Sequence, residues 1–445
     1  MTTARGGHDA FPEGVRVTAV AEVRLSHRAL LAYGGFGFPL SFAALPIYVV
    51  LPDWYAQRFG LPLAWIGIVL LCSRLADAFA DPWFGVWTDR LNQAGRLSRA
   101  IQVAVPLLIL GFAALFHPPG GLSPLQLTGW MVMALLLTYA GFSLGSIGHQ
   151  AWGATLAQSD GGRASIAAAR EGSGLLGVIA AAVLPGLAGM TAASALLALA
   201  ALLASWMLLR IAPRPLAMPV SRTEGLTTRA MLAPLRHAGF RALLGVFALN
   251  GIAAAIPATL LLFFVRDVLG LQAYSGLILA IYFLSAVASM PLWSRGVRRF
   301  GLVRIWLAGM GLSIAVFVWV IGVDYLDRSL MLPAFLLLSA LSGVALGTDL
   351  IAPAALAAGL IQQAPHALRE GACFGLWNFT AKLNLALAAG LMLPLLTLLG
   401  YAPGTLDTPA AGTTALTLAY GLVPCILKLC AMVALWRIRP LIPGV

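Results

Sequence analysis

Charge is scarce in this chain: only 10% of its 445 residues are Asp, Glu, Lys or Arg, against 60% apolar residues. Acidic residues number 16, and lysine is almost missing, with Lys382 and Lys428 the only two among 28 basic residues. So thin a polar complement cannot coat a water-exposed surface, and a mean hydropathy of +0.91 excludes a soluble globular core. The four cysteines, Cys72, Cys373, Cys425 and Cys430, all fall in apolar stretches without metal-like spacing to histidine, so packing is expected rather than a disulfide framework or a zinc site. The six histidines are scattered, and no nucleophile with a base, phosphate-binding glycine loop or metal cluster is visible. Enzymatic activity, ATP coupling and a cofactor are therefore not expected.

What the chain has is long apolar runs. Segments of about 20 apolar residues suit membrane-crossing helices, and they fall near 30–51, 61–83, 101–117, 125–149, 166–188, 191–209, 242–265, 273–293, 303–323, 330–351, 372–399 and 415–436. An all-α membrane protein of twelve transmembrane helices is expected. The Ala-rich stretch 352–368, with Pro353 and Pro365, either extends the tenth helix or lies flat in the interface. The polar first 29 residues and the length of the first apolar run argue against a cleavable signal peptide.

Lysine and arginine are unevenly spread over alternate loops. With the N-terminus inside, 22 of the 28 lie in cytoplasmic segments, whereas only Arg58, Arg266 and Arg328 lie in outer loops. Both termini are thus expected in the cytoplasm, in a bacterial-type inner membrane. The net charge of +12 reads as inner-leaflet anchoring, making membrane lipids, not nucleic acid, the expected surroundings.

The basic, Pro-containing stretch 210–241 divides the helices six and six. The expected units are a cytoplasmic N-terminal segment (1–29), bundles at 30–209 and 242–436, the linker between them, and a tail at 437–445. Weak echoes suggest duplication: Pro82-Trp83 with Asp89-Arg90 after helix two against Pro291-Leu292-Trp293 with Arg298-Arg299 after helix eight, and Arg170-Glu171-Gly172 against Arg369-Glu370-Gly371. Two pseudo-symmetric six-helix bundles with a site near the midplane are the architecture of the major facilitator superfamily.

Asp77 and Asp81 stand four residues apart inside the second apolar segment. That spacing puts both carboxylates on one helical face, where they repel unless a proton or metal cation lies between them. A carboxylate near the bilayer centre costs about 2.5 to 3.5 kcal/mol on insertion scales, which points to a function.

The text Arg74-Leu-Ala-Asp77-Ala-Phe-Ala-Asp81-Pro82-Trp-Phe-Gly85, continuing to Asp89-Arg90, resembles the second-helix signature of the glycoside-pentoside-hexuronide cation symporter family, the melibiose-permease-like branch of that superfamily. Arg369-Glu370-Gly371 followed by Lys382 resembles its loop-ten and helix-eleven signature, and Trp152, Asp160, Arg163 and Arg170-Glu171 resemble its motif between helices four and five.

The resemblance implies that Asp77 and Asp81 bind the coupling cation. Their oxygens suit Na+ or Li+, and a carboxyl in apolar surroundings can carry a proton instead. Alternatively Arg74, one turn before Asp77, neutralises it. Ala80 and Gly145 or its neighbours stand where relatives add polar groups, and fewer oxygens favour H+ over Na+. By resemblance Lys382 faces the helix-two aspartates; the alternative is a lysine snorkelling to the interface. Lys428 has no family counterpart, and packing and cavity roles are both open. Asp89, Arg90, Arg163, Arg170, Glu171, Arg369 and Glu370 are expected to form ion pairs between helices as a cytoplasmic gate, or else merely to set topology.

Sugar-carrying relatives place carboxylates in helices one and four, where this chain has Leu40-Ser41 and Gly148-His149. Asp349, Asn250, Trp377, Asn378, His149 and Gln150 remain as candidate cavity residues. The expected function is a cation-coupled (H+ or Na+) secondary active transporter working by alternating access, as a monomer, on a small organic solute such as a glycoside or an amphiphile with a charged head group. The alternative is an uncoupled lipid flippase or uniporter of the same fold.

Overall fold

Polar side chains cap several helix starts of this chain, where backbone groups lack helical partners. Ser26 accepts from the Ala29 amide, Ser159 from that of Gly162, and Ser123 forms a reciprocal capping box with Gln126. Gly60, at φ 68°, ends one helix in the left-handed conformation that glycine adopts without strain.

A computed structural model describes residues 25–215, 227–325, 327–364, 368–401 and 410–442. Most of the expected N-terminal segment, the middle of the linker, Pro365 and the last three residues lie outside the described residues.

The first half comprises α1 (His27–Gly34), α2 (Gly37–Val49), α3 (Leu51–Phe59), α4 (Leu63–Gln93), α5 (Ser98–Phe116), α6 (Pro124–Ala154) and α7 (Asp160–Arg210). A short α8 (Thr228–Leu232) precedes the second half: α9 (Ala238–Phe263), α10 (Ser275–Phe300), α11 (Leu302–Val318), α12 (Arg328–Gln363), α13 (Glu370–Leu398) and α14 (Ala410–Ile438). Ten of the described helical segments are long and apolar enough to cross a membrane. The 51-residue α7 counts once among them but breaks at Gly189, at φ 81° and ψ 170°, between the fifth and sixth expected segments. α4 is not one of the ten, and it carries Arg74, Asp77 and Asp81 within its apolar stretch.

Two expectations are refined. The second expected segment, observed as α4, runs on to Gln93, ten residues past its expected end at 83. The Ala-rich stretch after residue 351 continues α12 as far as Gln363 instead of lying flat. Its small side chains permit this: a Cβ at Gly359 would lie 3.0 Å from the Arg163 guanidinium of the other half.

The halves meet along α4 with α13 and along α7 with α10 and α12. Glycines set the approach of α4 and α13. A Cβ on either Gly85 or Gly371 would collide with the other's carbonyl oxygen, and one on Gly375 would lie 2.7 Å from the Asp81 carbonyl. Such small residues allow close backbone contact in lipid, where apolar surface supplies no net attraction between helices.

The cysteines divide. Cys373 and Cys425 are buried, whereas Cys72 and Cys430 are exposed on the outer faces of their helices.

Candidate functional site

Asp77 and Asp81 share the face of α4 turned toward the other half, and their side chains are 2% and 0% exposed. Lys382 of α13 lies between them, its Nζ 2.6 Å from Asp77 Oδ2 and 2.8 Å from Asp81 Oδ2. Gly375, two turns earlier on α13, is what lets Lys382 come this close. Ser143 of α6 donates to Asp77 Oδ1 at 2.7 Å and accepts from Lys382 at 2.9 Å. The ring of Phe142 lies 6.0 Å from Nζ. With both acids ionised, two carboxylates and one ammonium leave this cluster with a net charge of −1, one positive charge short of neutrality.

Lys382 therefore turns inward and does not snorkel. Asp77 is met by a lysine from the other half, and Arg74 is engaged as well. The expected shortage of oxygens at Gly145 or its neighbours, on α6, is corrected, since Ser143 supplies a hydroxyl. Ser143, two residues before Gly145, was legible as a polar residue in an apolar helix, but which face it takes depends on how α6 packs. One turn closer to the arginine-rich loops, Gln150 donates to Asn378 Oδ1 at 3.1 Å, and Asn378 reaches Ser146 at 3.4 Å, again joining the halves.

At the arginine-rich end, Asp89 of α4 accepts the backbone N–H groups of Gly371 at 2.7 Å and Ala372 at 2.8 Å. An anion there meets both the unpaired amides and the positive end of the α13 dipole. Asn92 hydrogen-bonds the neighbouring Glu370. Arg163 binds Asp160 of its own helix at 2.5 Å and crosses to Gln362 Oε1 at 2.8 Å. Gln362 in turn donates to the carbonyls of Ala154 and Ala157. The described bridges between helices at this end include hydrogen bonds to backbone amides and to glutamine. Arg170 pairs with its sequence neighbour Glu171 at 2.6 Å. Arg90 and Arg369 are also engaged in this region, with Arg369 close enough to act on Asp89.

A second buried ion pair lies within the second half. Lys428 Nζ of α14 is 2.6 Å from Asp349 Oδ2 on α12 and donates to Asn250 Oδ1 of α9 at 2.9 Å, while Trp306 Nε1 donates to Asp349 Oδ1 at 3.0 Å. Asp349 and Lys428 line a cavity of about 500 Å3 with Phe247, Tyr282, Ser342 and Tyr420. From the pair it extends along Ala254–Leu261 of α9 and past Leu338 of α12, away from the arginine-rich loops. Ala381 and Asn384 of α13, which flank Lys382, are part of its wall.

The remaining candidates sit elsewhere. His149 is wholly buried against Tyr33 and Phe36, with its Nε2 2.9 Å from the Tyr33 carbonyl, and is absent from the cavity wall. Trp377 stacks on Phe247 at 3.9 Å, behind the wall. Trp306 and Gln362 were not anticipated; nothing short of helix packing singles them out.

Two packed helical halves, a charge cluster buried between them and a cavity leading to one end are the architecture of a major facilitator transporter. The chain belongs to the family of MFS/sugar transport proteins, which it matches over residues 30–440. Among curated proteins it is 29% identical over 98 residues to the sucrose transport protein SUC4 of Arabidopsis thaliana, covering 20% of this chain and 19% of that one. It is 30% identical over 127 residues to the uncharacterized symporter YnaJ of Bacillus subtilis (strain 168), covering 28% and 26%. The matched segments thus span about a quarter or less of these relatives.

Solved structures agree in fold. A bacterial homologue of the iron transporter ferroportin in an outward-facing state superposes with a TM-score of 0.68 at 17% identity, covering 94% of this chain and all of the other. The proton:xylose symporter XylE follows at 0.62 and 15%, covering 92% and 94%, and FucP in the outward conformation at 0.62 and 14%, covering 92% and 98%.

Proposed function

We propose that this transporter is a cation-coupled symporter working by alternating access, with H+ or Na+ bound at Asp77 and Asp81 and an organic solute in the neighbouring cavity. The observation that carries the reading is Lys382 lying between both aspartates from the opposite half. A cation entering this cluster competes with the lysine for the same oxygens. Displacing Lys382 removes a tie between α4 and α13, so the occupancy of the ion site changes the balance between the two packings of the halves. α13 carries Lys382 on one side and lines the cavity with Ala381 and Asn384 on the other, which links ion and solute through one helix.

The arginine-rich end is the cytoplasmic one by the positive-inside rule. The contacts of Asp89, Arg163 and Gln362 close that end, and the cavity leads toward the other, which fits an outward-facing state. The cavity wall is mostly apolar, and a polyol requires many directed hydrogen bonds; an amphiphile with a charged group suits it better than a glycoside.

The test is the cation response of the purified chain in lipid nanodiscs. Thermal stability is followed in Na+, Li+ and choline chloride and across pH, for the natural chain and for Asp77→Asn and Asp81→Asn. One cation is expected to raise the melting temperature of the natural chain only. An unchanged response in Asp81→Asn would sink the ion site.

A further inference from the structure

Resting on the reading of this cavity as the solute site, we propose that Lys428 and Asp349 select an organic anion: a carboxylate with an apolar or aromatic body, taken up together with a proton on Asp349. The pair is built into the wall. Lys428 is 4% exposed and donates to Asp349 and Asn250, which leaves one of its three protons for a ligand among the described contacts. Asp349 keeps the Trp306 hydrogen bond when the lysine turns away.

A carboxylate that takes Lys428 leaves Asp349 without a counterion in apolar surroundings, a state too costly to persist. One proton from solvent on Asp349 restores neutrality: the anion adds one negative charge and the proton removes it. Tyr282 of α10 faces Asp349 and Cys425 of α14 faces Lys428; both are neutral groups that leave the count unchanged.

A second observation fixes the far end of the solute. Ser342 lies on the same face of α12, seven residues before Asp349; the residue is part of the cavity wall, and its hydroxyl oxygen, itself buried, has no hydrogen-bond partner among the described residues, so a rotation about χ1 would turn it to a solute. Seven residues span roughly 10 Å of helix. A solute with a hydroxyl that far from its carboxylate satisfies both ends, with Leu346 and Phe317 along its body.

Isothermal titration of the full chain in nanodiscs tests this with 4-phenylbutanoate, 4-(4-hydroxyphenyl)butanoate and the neutral 4-phenylbutanamide, in two buffers of different ionisation enthalpy. Both acids are expected to bind with uptake of about one proton, the amide about tenfold more weakly or worse, and the hydroxylated acid more tightly only while Ser342 is present. Ser342→Ala is expected to equalise the two acids. Lys428→Gln with Asp349→Asn removes both charges together, avoiding a buried unpaired one, and is expected to abolish the preference for acid over amide; Lys428→Arg is expected to keep it. Equal binding of acid and amide, or an unchanged preference in the double variant, overturns the proposal. Asp81→Asn separates the two readings. Lost cation response with intact carboxylate binding leaves this site standing, and carboxylate binding that ignores Lys428 overturns it whatever the ion site does.

Discussion

Asp89 and Gly371 lie 282 residues apart in sequence, yet the carboxylate of one accepts the backbone amide of the other at 2.7 Å. The contact caps the first turn of α13 with a side chain from the opposite half, so the helix start is complete only while that end is closed. Replacing a capping side chain by alanine costs about 0.5–2 kcal/mol. Asp89→Ala is therefore expected to shift the balance toward opening at the arginine-rich end by about twofold to thirtyfold. Hydrogen exchange of the Gly371 and Ala372 amides should quicken accordingly; unchanged exchange would show that the cap does not hold the gate.

Gly85 and Gly371 leave no room for a Cβ on either helix. Gly371→Val is expected to stop α4 and α13 from closing, leaving the basic end open and transport lost while the protein still inserts. A cysteine at Ser146, labelled from the basic side, reads the change. Full protection of that cysteine in the variant would count against the packing argument.

Ser143 hydrogen-bonds both Asp77 and Lys382. Ser143→Ala leaves Asp77 with one partner fewer, a loss of about 0.5–1.5 kcal/mol for a typical hydrogen bond. The half-saturating cation concentration in the stability assay is expected to rise about twofold to tenfold. Cysteine at this position, a weaker donor, should fall between the two, and an unaltered cation response in Ser143→Ala would remove the hydroxyl from the site.

Removing one partner of a buried ion pair costs about 3–5 kcal/mol because it strands the other charge. Lys382→Gln strands two carboxylates and is expected to lower the melting temperature more than Lys382→Gln combined with Asp81→Asn. A double-mutant cycle in denaturant measures the coupling. Additive losses would mean that the 2.8 Å contact contributes nothing specific.

Much of the architecture is written in local pattern. Apolar runs mark the helices because lipid demands about 20 of them in succession, and the four-residue interval from Asp77 to Asp81 puts both acids on one face whatever surrounds them. Glycine caps and serine N-caps end helices by backbone chemistry that needs no distant partner. The gate was legible as a region but not in its bonds: Asp89 accepts two backbone amides of α13 with Arg369 nearby, and nothing local to its own helix marks those amides.

Which charge meets which was not local. Lys428 could be assigned neither packing nor cavity from its own helix, and Asp349, 79 residues earlier, carries no mark of being its partner. Ser143, Gln362 and Trp306 acquire meaning only when α6, α12 and α11 are rotated into place, since a helix presents each residue at a fixed angle but its neighbours choose which angle faces inward. Composition and periodicity thus determined that this chain spans a membrane with two acids on one face, whereas interhelical packing decided that a lysine from the far half stands between them.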